Sequence, residues 1–154
     1  MDKVFKSKKD APVLKIDTES ELACIAEEWM DVLNMNDWII SFELVDFNGS
    51  EMEGKYVGLC DVSTTNKCGF IYLCRWDQIP KDSALTICME KTLVHELLHC
   101  LYPVYGDTDY SAEYMYETEH AKLEMMSRAL IRAKYNITAD YFMNNRLIGG
   151  DRHD

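Results

Sequence analysis

The stretch Thr92-Leu93-Val94-His95-Glu96-Leu97-Leu98-His99-Cys100-Leu101 carries one charged side chain, Glu96, set between two histidines four positions apart. On a helix that spacing puts both imidazoles on one face, one turn apart, where they can grip a single metal ion. A helix apolar on all sides is buried, and a carboxylate buried between imidazoles calls for a chemical reason. Glu96 is poorly placed to ligate the same ion but can reach a water held on it. Zinc lowers the pKa of such a water from ~15.7 toward ~7. Glu96 is then expected to take the water's proton as it attacks a peptide carbonyl, and to return it to the leaving amine. The bland reading is a pair of satisfied core histidines beside a paired glutamate. The apolar flanks, and the placing of two of the chain's four histidines in this motif, favour the chemical reading. The helix is expected over residues 84–102, capped by Asp82 or Ser83 after Pro80 and stopped by Pro103.

A catalytic zinc takes three protein ligands and keeps one position open. The third ligand is expected from a final long helix over residues 111–135, which offers Glu113, Glu117, Glu119, His120 and Glu124. The apolar stripe of that helix runs through Tyr116, Leu123, Met126 or Ser127, and Leu130. Glu119 and His120 lie about one turn before Leu123, whereas Glu117 and Glu124 are read as solvated. His120 is the preferred ligand. In the alternative, Glu119 ligates and His120 donates it a hydrogen bond. His153 falls in the polar tail, residues 149–154, and is read as solvated.

Upstream, residues 1–16 read as a charged, flexible lead-in, with Pro12 arguing against helix. A helix begins near Thr18, where Thr18 and Glu21 have capping-box spacing. Leu22, Ile25, Ala26, Trp29, Val32 and Leu33 form its apolar stripe. Trp38, Ile40, Phe42 and Leu44 alternate with Ile39, Ser41 and Glu43, as in a half-buried strand. After the Asn48-Gly49-Ser50 loop, residues 55–63 and 69–74 read as two more strands around a turn at 64–67. Consecutive strands with short turns predict an antiparallel meander. The whole is a single α+β domain over residues 17–148.

The 154 residues suit one domain, and the 47% apolar content with 3 Trp, 9 Tyr and 5 Phe supplies a core. A net charge of −11 repels phosphate backbones, so nucleic acid is an unfavoured partner. No apolar run approaches the ~20 residues that span a bilayer, so no membrane partner is expected. No apolar stretch follows the lysines of residues 1–10, so a secretory signal is not expected and the location read is the cytoplasm, or a host's cytoplasm if phage-encoded. The six cysteines, Cys24, Cys60, Cys68, Cys74, Cys88 and Cys100, then read as reduced thiols. Cys24, Cys88 and Cys100 fit helical apolar patterns as core filler. Cys60, Cys68 and Cys74 could meet across a hairpin around a structural zinc, although the usual paired spacing is missing.

Residues Thr92 to Leu101 resemble the active helix of the zincin metallopeptidases: an uncharged run, HExxH, then a further apolar pair. The order of elements over residues 21–133 is similar to that of small phage and bacterial metallopeptidases related to the ImmA/IrrE-type proteins. The resemblance implies a zincin-like fold, a zinc cofactor on His95 and His99, Glu96 as the catalytic base, and a protein or peptide substrate. It implies a third ligand from the next helix, usually Glu. Matching Glu119-His120, Leu123, Met126-Ser127 and Leu130 to the family pattern puts His120 where Glu commonly stands. It also implies that the edge strand before the active helix, here residues 69–74, holds substrate as an added strand. Two other classes compete. One is a metal-stabilised regulatory module that no longer cleaves, against which Glu96 speaks. The other is hydrolysis of a non-peptide amide such as a cell-wall crosslink, against which the missing export signal speaks.

Overall fold

The computed structural model describes residues 11–81, 86–103 and 110–143, with backbone alone for 110–116. Helix α1 (Glu19–Val32) opens where the capping spacing predicts: the Thr18 hydroxyl accepts the Glu21 N–H at 3.1 Å. It buries Leu22, Ile25, Ala26, Trp29 and Met30 along one side. The chain then turns at Asn34 (φ 60°) and enters β1 (Ile39–Val45). The period-two reading holds there, with Trp38 and Leu44 buried and Ile39 facing solvent. Strands β2 (Gly58–Ser63) and β3 (Cys68–Cys74) form a hairpin around residues 64–67.

The sheet is mixed, not an antiparallel meander. Its order is β1-β3-β2, with β3 antiparallel to β2 but parallel to β1. Two features of the chain explain this. The β1–β2 connection, residues 46–57, is far longer than a hairpin turn needs and can carry the chain past one strand position. Strand β3 is the most apolar of the three and buries Ile71, Leu73 and Cys74, so it takes the centre, while β2 exposes Asp61 and takes an edge.

Helix α2 (Met89–Leu101) carries the HExxH segment and starts later than expected. Residues 86–88 are outside the helix, with Cys88 extended, and the Thr86 N–H pairs with the Phe142 carbonyl at 2.7 Å, so the chain is held out of helix there. The expected caps Asp82 and Ser83 lie outside the described residues. No side chain caps α2. Instead, its Met89 and Glu90 N–H groups donate to the carbonyls of Leu14 and Val13 at 3.0 and 3.1 Å. Residues 12–16 are therefore docked rather than a loose lead-in, and Ile16 is fully buried; residues 1–10 lie outside the described part.

Helix α3 (Tyr110–Tyr135) buries Leu123, Ser127, Ile131 and Tyr135, a run of four-residue steps. Between the two residues left open for its stripe, Ser127 faces inward and Met126 outward. Of the three cysteines read as core filler, Cys88 and Cys100 are buried but Cys24 is exposed. The core forms one cluster that draws on α1, the sheet, α2 and α3. No helix among the described residues is long and apolar enough to cross a membrane.

Candidate metal centre

His95 and His99 project from α2 and His120 from α3, and the three rings face one another. Nε2 of His95 lies 3.1 Å from Nε2 of His99 and 3.1 Å from Nε2 of His120. Among the described residues this is the group of side chains arranged to hold a metal ion, with its ligand atoms all within 4.8 Å of one another. Three nitrogens bound at ~2.0–2.1 Å around a tetrahedral ion stand roughly 3.3 Å apart, so the observed spacing fits such an ion closely.

Hydrogen bonding and burial set the form in which these rings can ligate. Nδ1 of His95 lies 2.8 Å from a carboxylate oxygen of Glu124. An ionised carboxylate only accepts, so Nδ1 must carry the proton and Nε2 presents its lone pair to the centre. His99 is pushed down to about 4, by burial first and then by the facing imidazoles of His95 and His120. His120 is lowered from its ordinary value by burial and by His95, with Glu124 acting the other way. Both rings are held toward the neutral form, which is the form that binds metal.

Glu124 corrects the sequence reading, which placed it in solvent. It accepts from His95, pairs with Lys91 and receives Arg128 Nε at 3.1 Å. Burial works to raise its pKa, but the His95 hydrogen bond and the Lys91 charge outweigh that and hold it well below the usual carboxylate range. The signal was present in the chain: Glu124 lies four residues after His120, so both share one face of α3. Removing it with Glu124→Ala should weaken metal binding ~10–100-fold, the usual cost of losing a partner that orients a ligand. Competition against a chelator of known affinity measures this, and unchanged affinity would contradict the role.

Of the two third-ligand candidates, the structure brings His120 to the cluster and leaves Glu119 on the surface, 2.6 Å from Lys122. Glu117 is exposed, while the side chain of Glu113 and all of His153 lie outside the described part. The alternative of a zinc held by Cys60, Cys68 and Cys74 is not met among the described residues. Cys60 stands opposite Ile71 and Cys68 opposite Ser63, and the Cys60 thiol turns instead to Cys100 at 3.6 Å.

Glu96 is buried beside the cluster. Its pKa is pushed up to about 7 by burial; the electrostatic interaction with His95 opposes the rise and the charge of Glu124 adds to it. A cavity of about 550 Å³ opens here, lined by Gly58, Cys60 and Val62 of β2 together with Glu96, His99 and His120. The strand at this cleft is β2, so the expectation that residues 69–74 form its edge is overturned; β3 is the central strand. No family model, no curated protein and no solved structure matches the chain.

Proposed function

We propose that the protein is a zinc-dependent hydrolase of peptide bonds. The observation that carries this reading is Glu96: a carboxylate buried next to three convergent imidazoles and opening onto a cleft. A divalent zinc ion held by His95, His99 and His120 would supply Lewis acidity, polarising a carbonyl and acidifying water. The chain's own groups do the rest. Glu124 fixes the tautomer and direction of His95. Glu96 holds a proton taken from water and passes it to the leaving nitrogen. Strand β2, at the sheet edge, offers backbone groups along which an extended peptide can lie as an added strand.

The competing reading is a metal-stabilised regulatory module. Structural zinc sites are closed by four protein ligands, whereas here three imidazoles face a cleft and a base stands beside them. Both features favour catalysis. The test is identification of new peptide termini in a proteome treated with zinc-loaded wild type beside Glu96→Gln. Cleavage by the wild type alone supports the proposal; equal cleavage by both, or by neither, contradicts it.

The acid limb of activity gives a second check. Glu96 must be ionised to accept a proton, and in the metal-free site burial, before any other cause, pushes it up to about 7. A bound dication adds an opposite charge and draws that value down. Turnover should therefore rise with pH through a midpoint below 7, visible in a kcat/KM profile; a rise only above 7 would contradict this assignment.

A further inference from the structure

Strand β2 begins at Gly58, opposite Leu73 of β3, and its first residue lies against Thr92 and Glu96 of α2. A β-carbon on residue 58 would stand 2.8 Å from Oε1 of Glu96, 2.8 Å from Cγ2 of Thr92 and 3.1 Å from Cγ of Glu96. These separations lie well inside the ~3.5–4.0 Å of ordinary carbon contacts. Conformation is not what calls for glycine here. The glycines with positive φ are Gly54 and Gly69, and Gly58 is not among them. What it provides is space. The three atoms nearest a β-carbon all belong to side chains, so strand and helix can keep their places while the Glu96 carboxylate gives way.

Gly58 also lines two neighbouring cavities. Their volumes are about 550 and 260 Å³, and Tyr56, Gly58, Glu96 and His120 line both. A side chain at 58 would intrude on both cavities beside the Glu96 carboxylate.

We infer that Gly58 is a positioning residue: its missing side chain keeps open the seat from which the Glu96 carboxylate faces the metal-binding histidines. This rests on the reading of Glu96 as the proton carrier. The three atoms nearest a β-carbon at 58 belong to Glu96 and Thr92 and none to an imidazole or Glu124, so filling the seat should spare metal binding and damage proton transfer.

The experiment uses the full chain loaded with cobalt or zinc. Gly58→Ala should bind one metal ion with wild-type affinity. With a peptide substrate its kcat should fall ~100-fold, the scale of a reacting group misplaced by about 1 Å, while KM stays within about twofold. A second readout needs no turnover. Acetohydroxamic acid chelates a metal through its two oxygens and gives its hydroxyl proton to a neighbouring base. The visible spectrum of the cobalt protein reports its binding. Gly58→Ala should weaken that binding about tenfold, on the scale of a lost charged hydrogen bond. Glu96→Gln should do the same, and the double variant should lose no more than either single one, because both act through one carboxylate.

Wild-type hydroxamate affinity in Gly58→Ala, or losses that add in the double variant, would overturn the inference while leaving Glu96 as the base. Glu96→Gln with wild-type hydroxamate affinity would overturn both. Should Gly58→Ala fail to fold, Gly58→Ala/Thr92→Ser removes the Thr92 methyl, leaves the contact with Glu96, and carries the same expectations.

Discussion

Replacing Glu96 with Gln should leave one metal ion bound per chain and lower turnover by ~10²–10⁴-fold, the range that general acid–base catalysis contributes. The substitution keeps the shape of the side chain, and Glu96 is not one of the three converging ligand residues, so metal binding should persist. Burial makes the exchange mild for the fold. A neutral amide avoids the desolvation that pushes the Glu96 carboxyl up to about 7. The sign follows from linkage. The folded metal-free protein binds the Glu96 proton more tightly than the unfolded chain, so this group's contribution to stability is full below the ordinary value of 4.5 and is lost as pH rises through about 7. At neutral pH the metal-free variant should be at least as stable as metal-free wild type. Kinetics at matched metal occupancy and thermal melts of the metal-free proteins check both halves. Unchanged turnover would remove Glu96 from the mechanism, and a large loss of stability would reveal a structural role in its place.

The largest effect on stability is expected at Glu90, on the opposite side of α2 from chemistry. Glu90 is fully buried and accepts from Trp29 Nε1 at 2.9 Å, Tyr135 Oη at 2.7 Å, Lys134 Nζ at 2.8 Å and the Val13 N–H at 2.8 Å. One carboxylate thereby joins α1, α2, α3 and the N-terminal segment. Lys134 is almost as buried, and Glu28 stands 3.6 Å from it. Glu90→Ala leaves that ammonium without its closest carboxylate and strips partners from buried donors. Breaking one side of a buried pair costs about 3–5 kcal/mol, which for a chain of this size lowers Tm by roughly 10 °C. Urea titration of the metal-free protein measures it, and a loss under about 1 kcal/mol would show that water replaces the carboxylate.

Much of the centre was legible because its information is local. The i, i+4 histidines, the uncharged flanks and the buried Glu96 all lie within one helix, and helical spacing alone puts them on shared faces. His120 was legible for the same reason, since it precedes the inward stripe of α3 by one turn. Glu124 was missed because a carboxylate on a helix is solvated by default, and what keeps it inside is Lys91 from another helix. Glu90 was missed likewise, as its partners lie on α1, α3 and the N-terminal segment. The sheet order failed on a nonlocal choice: nothing in β1 announces that it will pair with β3 rather than β2. That pairing is decided by the long 46–57 connection and by the competition of strands for the buried centre. The α2 start failed because Thr86 to Cys88 have apolar spacing compatible with helix, yet Thr86 pairs with Phe142 and Cys88 is extended.

The central claim is that His95, His99 and His120 form one metal centre. Native mass spectrometry of chains supplied with equimolar zinc tests it most directly, comparing wild type, His120→Ala and Glu119→Ala. One ion is expected on wild type and on Glu119→Ala, and none retained by His120→Ala under the same chelator challenge. Zinc held by His120→Ala as firmly as by wild type would contradict it.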